Sequence, residues 1–177
     1  MTHVNTVVAV KFSPNGRLIA TVTWNHAVRV YDSQNGDLLV EFPVQVNSAL
    51  NQSLTWASDS KQLFALSQDA NINCLDVSTG TTLSKWTIHG IDNSGCIRVA
   101  LARDGTFIAA SANSSISFWA TTTYEQIGSV TEHTHFIWVM AISTNYDLVI
   151  GGDKTATLRA LCDILHSRYF DNVCVSA

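Results

Sequence analysis

The chain has 177 residues, enough for one domain with a sizeable core, and 46% hydrophobic against 14% charged residues excludes a disordered chain. A formal net charge of −4, with no run of Lys or Arg, argues against nucleic acid and anionic membrane, because both need a basic footprint. No stretch approaches the roughly 18 apolar residues of a membrane span, and Met1-Thr2-His3-Val4-Asn5 lacks the basic-then-apolar order of a secretory signal.

The first unit is predicted over residues 7–36. Val8, Val10 and Phe12 alternate with Ala9 and Lys11, which is strand period. Ser13-Pro14-Asn15-Gly16 follows. Pro presets φ for a turn, and Asn-Gly tolerates the positive φ of a tight hairpin. Residues 18–23 form a second run, broken at Asn25-His26. Val28-Arg29-Val30-Tyr31 alternates again before Asn35-Gly36. Three strands in about 30 residues, joined by turns, make an antiparallel meander.

The unit comes back three times. Tyr31-Asp32 is matched by Leu75-Asp76, 44 residues on; Trp119 follows after another 44, and Arg159 after 40. Six residues before these stand Asn25, Asp69, Asn113 and Asp153. Two residues before those come Thr23, Ser67, Ser111 and Gly151. The first-strand markers are Phe12, Trp56, Leu101 and Ile142, followed by the turns SPNG, ASDS, ARDG and STNY. Further apolar runs at 38–42, 83–86 and 127–130 give the first three units a fourth, outer strand. Four antiparallel strands at a period of about 40–45 residues is a propeller signature.

These residues resemble the WD-repeat (Trp-Asp repeat) β-propeller family. Its pattern is a loop His, a Ser or Thr in the second strand, an Asp in the next turn, and Trp-Asp ending the third strand. His3 and His133 stand nine residues before their first-strand markers, where units two and three have Asn47 and Asp92. The closing dipeptide is degenerate: Tyr31-Asp32, Leu75-Asp76, Trp119-Ala120 and Arg159-Ala160. The resemblance covers about residues 3–161. It implies a buried hydrogen-bond chain of Asp, His, Ser/Thr and Trp that locks turn to strands, and such a network is costly when only partly satisfied. The structural repeat positions are therefore His3, Thr23, Asn25, Tyr31, Asp32, Ser67, Asp69, Asp76, Ser111, Asn113, Trp119, His133 and Asp153. Missing members predict softer blades.

The expected fold is all-β: four blades of a β-propeller at about 3–42, 47–87, 92–131 and 133–161, then a C-terminal tail at 162–177. Family propellers usually close about seven blades, near 300 residues, so this ring is expected to be incomplete or open. Apolar blade faces would then lie bare at both ends. Further blades from a longer chain, which is the favoured reading, a second copy making an eight-bladed ring, or a capping partner would cover them.

Candidate chemistry is weak. His133-Thr134-His135 offers two imidazoles, but zinc needs a third and usually a fourth ligand, and Glu132 points the other way by alternation. Residues 150–155 end like a phosphate loop, yet Asp153 interrupts the Gly-Lys contact and repels phosphate. There is no Gly-x-Ser-x-Gly, and the carboxylates are scattered singly at turns. Cys74, Cys96, Cys162 and Cys174 lack C-x-x-C spacing and read as reduced thiols of a cytoplasmic protein. No metal or cofactor is expected.

Exposed aromatics and Arg are the better candidates for binding, because Trp, Tyr and Arg are enriched at interface hot spots. Trp24, Arg29, Phe136 and Trp138 are the protein-interaction candidates, with Arg98 and Arg103 joining them on the rims. For Trp24 and Trp138, packing between neighbouring blades is the competing reading. The resemblance implies a non-catalytic scaffold for protein partners. The alternatives are a propeller-type enzyme, quinoprotein-dehydrogenase-like or hydrolytic, and a partial gene product without independent function.

Overall fold

The computed structural model describes residues 5–23, 27–44, 54–67, 71–88, 97–132, 135–143, 148–153 and 158–162. Within them every regular element is a strand. The first sheet runs β1 (Val7–Phe12), β2 (Leu18–Thr23), β3 (Val28–Asp32) and β4 (Leu38–Phe42). The second runs β5 (Leu54–Trp56), β6 (Gln62–Leu66), β7 (Asn71–Asp76) and β8 (Thr81–Thr87). The third runs β9 (Ile97–Leu101), β10 (Phe107–Ala112), β11 (Ser115–Ala120) and β12 (Gln126–Glu132). The fourth has, among the described residues, β13 (Ile137–Ile142), β14 (Leu148–Asp153) and β15 (Leu158–Cys162). Each sheet is an antiparallel meander in chain order, as neighbours joined by short turns must be. The expected all-β, blade-like architecture is what the chain adopts.

The turns show why the sequence repeats. In the first hairpin turn the amides of Gly16, Ser60 and Gly105 donate to the carbonyls of Ser13, Ala57 and Ala102 at 2.9, 3.0 and 2.8 Å. All three donors have positive φ, of 72°, 62° and 77°. Gly takes that conformation without strain, whereas the Cβ of Ser60 makes it costly. The turn after the third strand repeats as well. There Gly36, Gly80 and Tyr124, with φ of 78°, 72° and 60°, donate to the carbonyls four residues back. Backbone bonds from Ser33 to Arg17, Val77 to Lys61 and Thr121 to Thr106 tie the two turns together in each sheet.

The sheets stack face to face. β1 lies beside β5, β5 beside β9, and β9 beside β13, so the first strands of successive blades gather at a hub. Among the described residues no comparable packing joins β13 back to β1.

Three apolar layers fill the gaps. Ala20, Val22, Val28, Val30 and Phe42 of blade one meet Leu54, Trp56, Leu63 and Leu75 of blade two. Phe64, Leu66, Ile72, Cys74 and Trp86 then meet Val99, Ile108 and Trp119. Phe107, Ala109, Ile116 and Phe118 meet Ile137 and Met140. Both faces of blades two and three are therefore buried. Their middle strands read as continuous apolar runs for that reason, as with IAASA in β10. Burial on this scale, at about 25 cal/mol per Å² of apolar area, is what holds one blade to the next.

Candidate functional site

Blade interfaces are pinned by polar contacts as well as by the apolar layers. The Trp56 indole N–H donates to the Lys11 carbonyl across the first gap at 3.1 Å. The Asn15 amide donates to Ser60 Oγ at 3.2 Å, so the costly backbone at Ser60 also carries an inter-blade bond. Across the second gap Trp86 stacks on Tyr124, with ring centroids 4.7 Å apart. The Ile137 amide donates to the Asn113 carbonyl at 2.8 Å across the third. Asn113 has φ 54°, which Asn tolerates better than most residues.

The repeat positions serve mostly local ends. Asp32 Oδ1 accepts from the amides of Gln34 (2.8 Å) and Asn35 (3.2 Å). Asp76 Oδ1 accepts from the amides of Ser78 (2.7 Å) and Thr79 (3.0 Å) and from the Ser78 hydroxyl (2.6 Å). The Ser78 hydroxyl and then the Thr79 amide hold the Asp76 carboxyl below the usual carboxylate range. Each Asp thus fixes the turn after the third strand. Blade three has Ala120 at this place and no such carboxylate; its Thr121 hydroxyl donates to the carbonyls of Gly105 and Thr106, as the Ser33 hydroxyl donates to the Gly16 carbonyl in blade one.

The second-strand hydroxyls are buried. Ser67 Oγ donates to the Asn71 carbonyl at 3.0 Å and accepts from Asn73 Nδ2 at 3.0 Å. Thr23 Oγ1 lies 3.5 Å from the Ala27 carbonyl. Ser111 Oγ has no hydrogen-bond partner among the described residues. The Trp119 indole N–H goes to Ser117 Oγ, two residues back on its own strand, at 2.9 Å. His3, Trp24, Asn25, Asp69 and His133 lie outside the described residues, as do the side chains of Trp138 and Asp153.

Of the interaction candidates, Phe136 is half exposed, just ahead of β13. Arg29 is committed to Glu41 across β3–β4, with Nε–Oε2 at 2.8 Å and Nη2–Oε1 at 3.2 Å. Glu41 raises the guanidinium pKa, and burial pushes the Tyr31 phenol up. Arg98 corrects the sequence reading: it is 1% exposed, so it does not stand on a rim. Its strand position faces blade four, and the guanidinium is enclosed there. Arg103 is exposed.

Sequence reasoning missed a set of bare apolar side chains on the first strands of the end blades, Val10, Phe12 and Val139. The signal was present in the chain. Open ends were expected, and the register of β1 and β13 names the residues that meet them.

Antiparallel sheets stacked through their first strands are consistent with the blades of a β-propeller. The family model for the WD domain, G-beta repeat (WD40), matches residues 1–32, which span β1, β2 and β3 through Tyr31-Asp32. Over 86 residues the chain is 28% identical to Actin-interacting protein 1 of Drosophila melanogaster, a match that covers 49% of this chain and 14% of that protein. The chain thus spans about one seventh of the curated relative it matches. The WD-repeat match falls on the first unit, whose residues also carried the resemblance read from the sequence. Among the described residues no group of three or more His, Cys, Asp or Glu is placed to hold a metal ion. No helix there is long and apolar enough to cross a membrane.

Proposed function

We propose that this protein is a non-catalytic scaffold that presents propeller rims and loops to protein partners. The supporting observation is a frame of stacked blades, cross-pinned at Trp56, Ser60 and Asn113, that holds an exposed Phe136 at the foot of an inner strand. A rigid frame with an aromatic anchor on a loop is how affinity is built without chemistry. Trp24 and Trp138 join Phe136 in this reading. Arg29 contributes through the surface it forms with Glu41 rather than as a free cation. The scaffold acts in the cytoplasm, where a buried free thiol such as Cys74 stays reduced.

The name of the relative makes actin the first partner to test. The experiment is co-sedimentation of the chain with filamentous actin, beside affinity capture with mass spectrometry. A saturable complex that Phe136→Ala weakens at least tenfold, with the circular dichroism spectrum unchanged, supports the scaffold. Binding unaffected by Phe136→Ala, Trp24→Ala and Trp138→Ala together would remove the proposed surface. Turnover of a sugar or ester substrate by the pure chain would remove the non-catalytic reading.

A further inference from the structure

The two Asn-Gly steps of blade one carry chemistry as well as shape. In both, the asparagine side chain folds over the peptide that follows it. The Arg17 amide donates to Asn15 Oδ1 at 3.0 Å, and the Asp37 amide donates to Asn35 Oδ1 at 2.9 Å. An Asx-turn of this kind spans the intervening Gly peptide and lays the side-chain amide carbon along it. Glycine has no Cβ to shield the peptide nitrogen. The arrangement therefore approaches the attack of the Gly nitrogen on Asn Cγ. The amide on Oδ1 stands where negative charge gathers during that attack.

Both asparagines are exposed, so access of water does not separate the two steps. What holds them does. The Asn15 amide donates to Ser60 Oγ of blade two at 3.2 Å, and Asn15 Oδ1 also accepts from the buried Ser13 hydroxyl at 2.8 Å. Closing a ring at Asn15 twists the peptide that carries the inter-blade bond. The bonds of Asn35 stay within residues 32–37. Its amide donates to Asp32 Oδ1 at 3.2 Å and its Nδ2 to Asp37 Oδ2 at 2.8 Å. The Gly36 amide is held by the Asp32 carbonyl at 3.1 Å, against 2.9 Å from Gly16 to Ser13.

We propose that Asn35-Gly36 is a self-modifying site that passes through a succinimide to aspartate and isoaspartate, while the bond to Ser60 spares Asn15. Base takes the Gly36 amide proton, and the Gly36 nitrogen bonds to Asn35 Cγ. The Cγ–Nδ2 bond breaks, and Nδ2 takes a proton from solvent and leaves as ammonia. Water then opens the ring at either carbonyl. One opening restores the main chain with an aspartate at 35. The other routes the main chain through Cβ and Cγ and lengthens it by a methylene. Either product adds a carboxylate beside Asp32 and Asp37. The longer main chain also shifts Gly36 away from the Asp32 carbonyl, in the turn that leads into β4.

The test is ageing of the full chain, native and in urea, at mildly alkaline pH. Trypsin then places Asn15 in residues 12–17 and Asn35 in residues 30–61, and fragmentation locates the amide-to-acid change within each peptide. In native protein Asn35 is expected to convert faster than Asn15 by an order of magnitude, with isoaspartate among its products. In urea the two rates are expected to converge. Ser60→Gly removes the cross-blade acceptor at a place where φ is 62°, which glycine takes readily. It is expected to raise the Asn15 rate several-fold and to leave Asn35 unchanged. Native Asn15 converting as fast as Asn35 overturns the proposal. So does a native Asn35 that stays intact while the unfolded chain converts, and so does an Asn15 rate that Ser60→Gly leaves where it was.

Discussion

Gly16 and Gly80 share one backbone angle, φ 72°, and differ in what surrounds them. A Cβ on Gly16 would meet nothing within 4 Å, whereas one on Gly80 would lie 2.9 Å from Val40 Cγ2 in the outer strand of the preceding blade. Gly16→Ala should therefore cost only the left-handed conformation, about 1 kcal/mol. Gly80→Ala carries that cost plus overpacking. Val40 must retreat by roughly half an ångström, which adds about 1–2 kcal/mol for a neighbour that is only half-buried. The assay is urea unfolding of both variants, alone and with Val40→Ala. The excess cost of Gly80→Ala over Gly16→Ala should vanish in the Val40→Ala background, because that pair couples directly. Equal losses for the two glycines, or an excess that persists without the Val40 side chain, would refute the stacking of blade two on blade one at its outer strands.

Trp56→Phe should destabilise by about 2–3 kcal/mol, from the lost bond to the Lys11 carbonyl and the smaller apolar surface buried; urea melts read the loss, which hydrogen exchange should place in the first two blades and not in β11–β12. The folded-state pKa of Asp76 is lowered, so its contribution is present above the unfolded value of about 3.9 and is lost as pH falls through the folded value. Asp76→Asn should therefore flatten the acid limb of stability below about pH 4, measured by urea midpoints against pH. The Cys74 thiol is pushed up to about 11, first by burial and then by the charges of Asp76 and Asp59. At pH 8 roughly a thousandth of it is thiolate, so iodoacetamide should spare Cys74 in native protein and label it in urea, as read by peptide mass mapping.

The blades were legible because two periodicities agree in this sequence. Strand alternation marks the runs, and Gly16 and Gly36 of the Asn-Gly turns sit where the backbone has positive φ. The outer strands β4, β8 and β12 were read from short apolar runs, although Leu38, Leu39, Leu83 and Val130 in them are exposed. What stayed hidden depends on the neighbouring blade. Phe12 and Trp56 occupy one register position, yet one is bare and the other covered, and nothing local to either strand distinguishes them. Arg98 reads as a surface residue by type but lies at the 1%-exposed forward position of β9. Tyr124 takes the left-handed place that Gly holds in the first two blades, and its ring stacks on Trp86 across the gap. That contact is long-range and leaves no trace in the spacing. The hydroxyl of Ser111 recurs at the expected place, but recurrence alone did not give its bonding.

Blade stacking at the hub is tested most directly at the Trp56 indole N–H. Its resonance can be assigned by its loss in Trp56→Phe. Exchange with deuterated solvent slowed by orders of magnitude, together with a nuclear Overhauser contact to the Lys11–Phe12 backbone, is the expected result. An indole proton that exchanges at the rate of an exposed tryptophan, with no contact to β1, would contradict the arrangement of blades described above.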